Sequence, residues 1–250
     1  MSGGETFHAV ERGGEVRRAE PIDGHICCGY SLGARMEGGL AGARVLAPVE
    51  PSKVVCVGLN YRDHALETGK PLPADPLLFM KPPTAVIGPG APILLPPAVG
   101  RVDYEGEAAV VIGRRAHRIK AADAWDHVFG WTCLNDVTAR DLQNKDSQYT
   151  RCKGFDTFAP MGPSIAVGLG RGPRTVETWV NGQRRQCSST AQLIFGVEVL
   201  IEFITFVMTL EPGDVISTGT PAGVGPLADG DVVTVKVGGV GELASPVEHE

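Results

Sequence analysis

Apolar and polar residues follow one another in short runs along most of this chain, and only one stretch sustains a helical period. Lys53–Gly58, Leu77–Met80, Ile93–Leu95, Val102–Ile112, Gly130–Leu134, Ser164–Val167, Val176–Val180, Val215–Thr218 and Val232–Val237 read as strands. They are rich in β-branched and apolar residues and are bounded by Gly, Pro, Asn or Asp. Phe7–Glu20 reads as a hairpin about Gly13-Gly14. Leu193–Leu210 places Val197, Leu200, Ile201, Ile204, Val207 and Met208 at helical spacing, which predicts a core-packing helix. Asn60–Glu67 and Ala121–His127 are shorter helical segments, and Asn135–Gln143 is a helix or turn. Thr68–Pro76 holds three prolines in nine residues and reads as a surface loop.

Composition supports a strand-dominated, β-rich α+β fold. The 33 glycines and 19 prolines among 250 residues lie between the β-rich runs, as many tight turns require. The pattern changes character near Pro48–Ser52, which divides a small N-terminal segment, 1–50, from a main domain, 51–250. A net charge of −6 with no Lys/Arg run argues against nucleic acid or an anionic membrane as partner. Phe195–Leu210 is interrupted by Glu198 and Glu202 and is too short to span a bilayer. The six cysteines form no CxxC pair, and the polar start Met1–Thr6 offers no signal peptide. Free thiols in a reducing cytoplasm are therefore expected.

Val102–Ile112 carries the most chemistry. Read as one strand, it sets Asp103, Glu105 and Glu107 on one face, continued by Ala109 and Val111. A hard divalent cation would offset their mutual repulsion; a strand end with solvated acids is the plainer alternative. Asp136, after the strand Gly130–Leu134, either completes such a site or caps a helix. His64 and Glu67 share a face at i and i+3, so Glu67 would orient a His64 general base, or the two are an ordinary exposed pair. Lys153, ahead of an aromatic and proline-rich turn, suits a substrate carboxylate or a developing enolate oxygen, or is a surface lysine. Asp141 is assigned to Arg140 or another surface neighbour. Thr218-Gly-Thr-Pro-Ala-Gly-Val-Gly resembles an anion-cradling loop but lacks the ending of a nucleotide P-loop. No serine elbow or cysteine-nucleophile signature is present.

Taken in order, Cys56-Val-Gly-Leu-Asn-Tyr-Arg-Asp-His-Ala-Leu-Glu, Val102-Asp-Tyr-Glu-Gly-Glu, Asn135-Asp-Val-Thr-Ala-Arg-Asp-Leu-Gln, Lys153-Gly-Phe-Asp-Thr-Phe-Ala-Pro-Met-Gly-Pro, Asn181-Gly-Gln and Gly213-Asp-Val-Ile-Ser-Thr-Gly-Thr-Pro-Ala-Gly-Val-Gly resemble the fumarylacetoacetate hydrolase family over residues 51–247. The resemblance implies a mixed β-sandwich roll with a few short helices, usually dimeric, holding one Mg²⁺ or Mn²⁺ per chain. It assigns Glu105, Glu107 and Asp136 to the metal and His64 with Glu67 to a lid over the substrate. Lys153 and Gln143 fall on the substrate side, Thr220 on the Gly-Thr-Pro loop, and Arg62 and Lys81 become further candidates for a substrate carboxylate.

The short N-terminal segment points to the small bacterial-type members, which act on 2-oxo acids. The expected reaction is hydrolytic carbon–carbon cleavage of an acylpyruvate through a pyruvate enolate, with His64 and Glu67 activating water, in a cytoplasmic homodimer. Oxaloacetate decarboxylation and isomerisation of a hydroxy-dienoic dioate in aromatic catabolism use a related site and are the alternatives. A metal- or small-molecule-binding protein without turnover is the reading of another class.

Overall fold

The computed structural model describes residues 5–250; Met1–Gly4, part of the polar start read above, lie outside the described residues. Its centre is a seven-stranded mixed sheet. In spatial order the strands are Leu78–Lys81, Val54–Val57, Val215–Ser217, Gly106–Ile112, Val128–Asn135, Ala159–Val167 and Val86–Ile87. Gly106–Ile112 is buried along its whole length because both of its faces are covered. Ala108, Val110 and Ile112 join a core with Val176, Val235, Val237 and Leu243 of a five-stranded sheet and with Leu200, Ile201 and Ile204 of the helix Val197–Val207. Ala109 and Val111 face the opposite core, with Val54, Leu134, Met161 and the N-terminal Cys27 and Val49.

The hairpin His8–Arg12 and Glu15–Pro21 forms as expected about Gly13-Gly14, and Tyr30–Arg35 adds a third strand. This small sheet pairs with no other sheet among the described residues. No helix among them is long and apolar enough to cross a membrane.

Two expectations change. Val102–Ile112 is two strands, Val102–Tyr104 and Gly106–Ile112, broken at Glu105 and lying in different sheets. The change of sheet breaks the period of two, so Asp103 leaves the other acids and instead accepts from Arg101 and Arg140. The long helix is shorter than its periodicity suggests, running from Val197 to Val207, because Gly196 and Met208 at its two ends are extended. Two strands carry no readable signal, Gln183–Ser189 and Gly241–His249, the latter with only Leu243 and Val247 as large apolar residues.

Leu200 is fully buried where the helix meets both sheets. Leu200→Ala is expected to cost ~2–5 kcal/mol, with the larger values where the surroundings cannot collapse into the cavity. Chemical denaturation would show this as a lower midpoint at an unchanged slope.

Candidate active site

Glu105 is the hinge residue between two sheets, and the next segment pins it in place. The Asn135 side chain accepts from the Glu105 N–H at 3.0 Å, and the Asp136 N–H donates to the Glu105 carbonyl at 2.8 Å. Gly106 separates the two glutamates, and a Cβ there would collide with the Thr178 hydroxyl. Side-chain oxygens of Glu105, Glu107 and Asp136 consequently converge, with one ligand atom from each lying within 4.8 Å of the others. All three residues are buried.

Three cationic side chains balance these three acids. Lys153 Nζ donates to Glu105 Oε2 at 2.8 Å and to Asp136 Oδ2 at 2.6 Å. The Arg140 guanidinium bridges Glu105 Oε1, at 2.7 Å, and Asp103 Oδ2, at 2.9 Å. Lys81 Nζ lies 2.8 Å from Asp136 Oδ1, yet it donates to the carbonyls of Val137, Lys153 and Phe158 at 2.8–2.9 Å. An ammonium has three protons, and those carbonyls take all of them. Lys81 is therefore a buried support beneath Asp136, which corrects the expectation that it contacts a substrate carboxylate.

The electrostatics follow from burial and neighbours. Burial pushes the Glu105 carboxyl up, but Lys153 and Arg140 outweigh it and hold it below the usual carboxylate range. Glu107 has no such partner: burial and then Asp136 push it well above that range, against the Ser217 hydroxyl, which donates at 2.5 Å. Burial alone would lower Lys153, but Asp136 and Glu105 reverse the sign and keep it cationic.

The Gly-Thr-Pro loop ties this cluster to the His64–Glu67 pair. The Gly219 N–H donates to Glu107 Oε2 at 2.8 Å, and four residues on, the Gly223 N–H donates to Glu67 Oε1 at 3.0 Å. Four residues span at most ~14 Å. Glu67 Oε2 lies 3.0 Å from His64 Nδ1, so one carboxylate holds both the imidazole and the loop. Both residues sit on the helix Arg62–Thr68, whose Asp63 also accepts from the Ser188 hydroxyl.

Of the other expected residues, Thr220 donates to the Gly106 carbonyl and Gln143 accepts from Arg140, whereas Arg62 is exposed on the first turn of the helix. Asp141 accepts from the Arg101 backbone N–H rather than pairing with Arg140.

Several supporting residues escaped the sequence reading. Gln186 accepts from the Gly106 N–H and donates to Thr220 Oγ1 and the Pro221 carbonyl. Asn60 braces Thr218 and Phe195. Arg140 lies inside a motif already singled out, but Gln186 stands in a polar run with no signal of burial.

The donor set is all oxygen, and Asp136 Oδ1 is buried without a hydrogen-bond donor while facing the charge of Lys81. A lone pair left free on a buried carboxylate fits a hard divalent cation such as Mg²⁺ or Mn²⁺. The fold and this cluster together define a β-rich protein with a carboxylate site able to hold a metal ion.

Comparison with known proteins agrees. The fumarylacetoacetate hydrolase C-terminal family matches residues 53–248, and the chain belongs to that family. It is 54% identical over 204 residues to a protein of Archaeoglobus fulgidus, covering 82% of each. It is 43% identical over 223 residues to the oxaloacetate tautomerase of Bacillus subtilis, covering 83% of this chain and 74% of that protein. The solved structure of the 2-hydroxyhepta-2,4-diene-1,7-dioate isomerase from Mycobacterium marinum superposes with a TM-score of 0.86 at 44% identity, covering 94% of this chain and 88% of that one.

Mn²⁺ is expected to raise the melting temperature of the wild type and to leave that of Glu107→Gln unmoved. Without metal, the variant should melt no lower than the wild type, because it removes a buried carboxyl repelled by Asp136. Thermal melts with Mn²⁺ and with chelator check both statements.

Proposed function

We propose that this chain is a divalent-metal-dependent enzyme that moves a proton along a 2-oxo dicarboxylic acid, with oxaloacetate as the first substrate to test. The charge count of the buried site carries this reading. Glu105, Glu107, Asp136 and the adjoining Asp103 stand against Lys81, Lys153, Arg140 and Arg101, so the set is neutral with all groups ionised. A divalent cation adds two positive charges, and a dicarboxylate dianion cancels them, whereas an acylpyruvate with one carboxylate leaves one uncompensated. Unbalanced charge in a buried site is costly.

The names of two relatives point the same way. One is an oxaloacetate tautomerase and the other a 2-hydroxyhepta-2,4-diene-1,7-dioate isomerase, and neither reaction breaks a carbon–carbon bond. Acylpyruvate hydrolysis, the main expectation from sequence, therefore becomes the second reading. Decarboxylation remains close in chemistry, because it too passes through an enolate.

When bound to Glu105, Glu107 and Asp136, the cation supplies a Lewis acid for negative charge on a 2-oxo oxygen. His64 takes a proton from the carbon beside that carbonyl and returns it to oxygen or carbon. Glu67 holds the imidazole on one tautomer and offsets the positive charge it acquires. Lys153, with two protons committed to Asp136 and Glu105, turns its remaining N–H and its charge toward the developing enolate. Thr220, Gln143 and Arg62 orient the substrate.

The working form in this reading is a cytoplasmic homodimer. All six cysteines are free thiols, as a reducing compartment would keep them.

Mg²⁺-loaded protein is expected to accelerate loss of the enol absorbance of oxaloacetate, and chelation should abolish the acceleration. His64→Ala should lower kcat by about 10²–10⁴. Equal rates with and without chelator would defeat the metal-dependent reading. Pyruvate release from acetylpyruvate that outpaces every oxaloacetate reaction would restore hydrolysis as the function.

A further inference from the structure

Two adjacent arginines on the strand Gln183–Ser189 have different surroundings. Arg184 is engaged: Nη1 donates to Glu177 Oε1 at 3.2 Å, and the guanidinium stands 5.8 Å from the centre of the Trp179 ring. Arg185 is exposed, and among the described residues it forms no salt bridge. The register explains the contrast. Thr178 lies opposite Gln186 and Trp179 opposite Arg184, so Arg185 is the extra residue of a β-bulge. Bulges re-aim a side chain and are frequent beside active sites.

This bulge lies against the Gly-Thr-Pro loop. A Cβ on Gly223 would collide with the Arg185 carbonyl oxygen, and Gln186, the next residue, bonds Thr220 and Pro221. Gly223 is also where the His64–Glu67 pair is anchored, through Glu67 Oε1 at 3.0 Å, and where the Tyr104 hydroxyl donates at 2.9 Å. An exposed arginine without a salt bridge thus has its backbone packed on the loop that anchors the helix carrying His64 and Glu67.

We propose that Arg185 determines substrate specificity by receiving the carboxylate at the far end of the substrate, the end remote from Glu105, Glu107 and Asp136. The assignment rests on the dicarboxylate reading above and adds to it the group that distinguishes two carboxylates from one. A guanidinium suits this role because its planar fork matches a carboxylate bidentately and its charge persists at any working pH.

The experiment uses two unreactive 2-hydroxy acids, malate and lactate, of which only malate has a distal carboxylate. Their affinities for Mn²⁺-loaded protein are measured by calorimetry for the wild type, Arg185→Met and Arg184→Met. The wild type is expected to prefer malate. Arg185→Met should weaken malate about tenfold, the size of an exposed charge-assisted contact, while lactate affinity stays the same. Arg184→Met should change neither. A malate preference that survives in Arg185→Met overturns the assignment alone, as does an equal loss of both ligands, which would mark a structural role. A wild type that binds malate no better than lactate defeats the dicarboxylate reading and this assignment with it.

Discussion

Three carboxylates drawn together inside a protein repel one another, and most of the architecture around Glu105, Glu107 and Asp136 answers that repulsion. Lys153 and Arg140 hold Glu105 ionised, Lys81 neutralises Asp136 from below, and Glu107 is left with only a hydroxyl and a backbone N–H. Each cation comes from a separate segment, so the cluster can assemble only when strands and short helices distant in sequence have met. The acids and their partners are therefore a test that the whole fold must pass. Breaking one pair would leave a buried charge alone, which costs far more than the pair itself contributes.

Lys81 and Lys153 divide this work in different ways. Lys81 spends its protons on three carbonyls and gives Asp136 only its charge, leaving Oδ1 free to serve as a ligand atom. Lys153 gives both charge and hydrogen bonds and stacks its ammonium 4.8 Å from the centre of the Phe79 ring. Two residues of one type thus prepare a carboxylate for two purposes, one as an open donor and one as a fixed anion.

The sequence made the acids legible because their spacing is short and local. Glu105 and Glu107 converge as the alternation suggests, yet the same alternation wrongly enrolled Asp103, since nothing in Val-Asp-Tyr-Glu-Gly-Glu announces that the chain changes sheets at Glu105. The central strands were legible because both of their faces are buried and apolar. Gln183–Ser189 was not, because its buried positions are polar and its register contains a bulge. Gln186 matters through partners far away in sequence, and no local pattern encodes such partners. Lys81 shows the same limit from the other side: the family resemblance suggested a ligand contact, and only the surrounding carbonyls reveal a strut.

The helix Arg62–Thr68 is about two turns long, with a single buried side chain, Ala65, and its polar ties to the body are Asp63 with Ser188 and Glu67 with Gly223. An element held so lightly can lift away while every sheet stays intact. When it lifts, His64 leaves together with the carboxylate that orients it. In the proposed reaction, a molecule in which this helix has lifted would keep its carboxylate cluster and lose its base, so binding and chemistry would belong to different states.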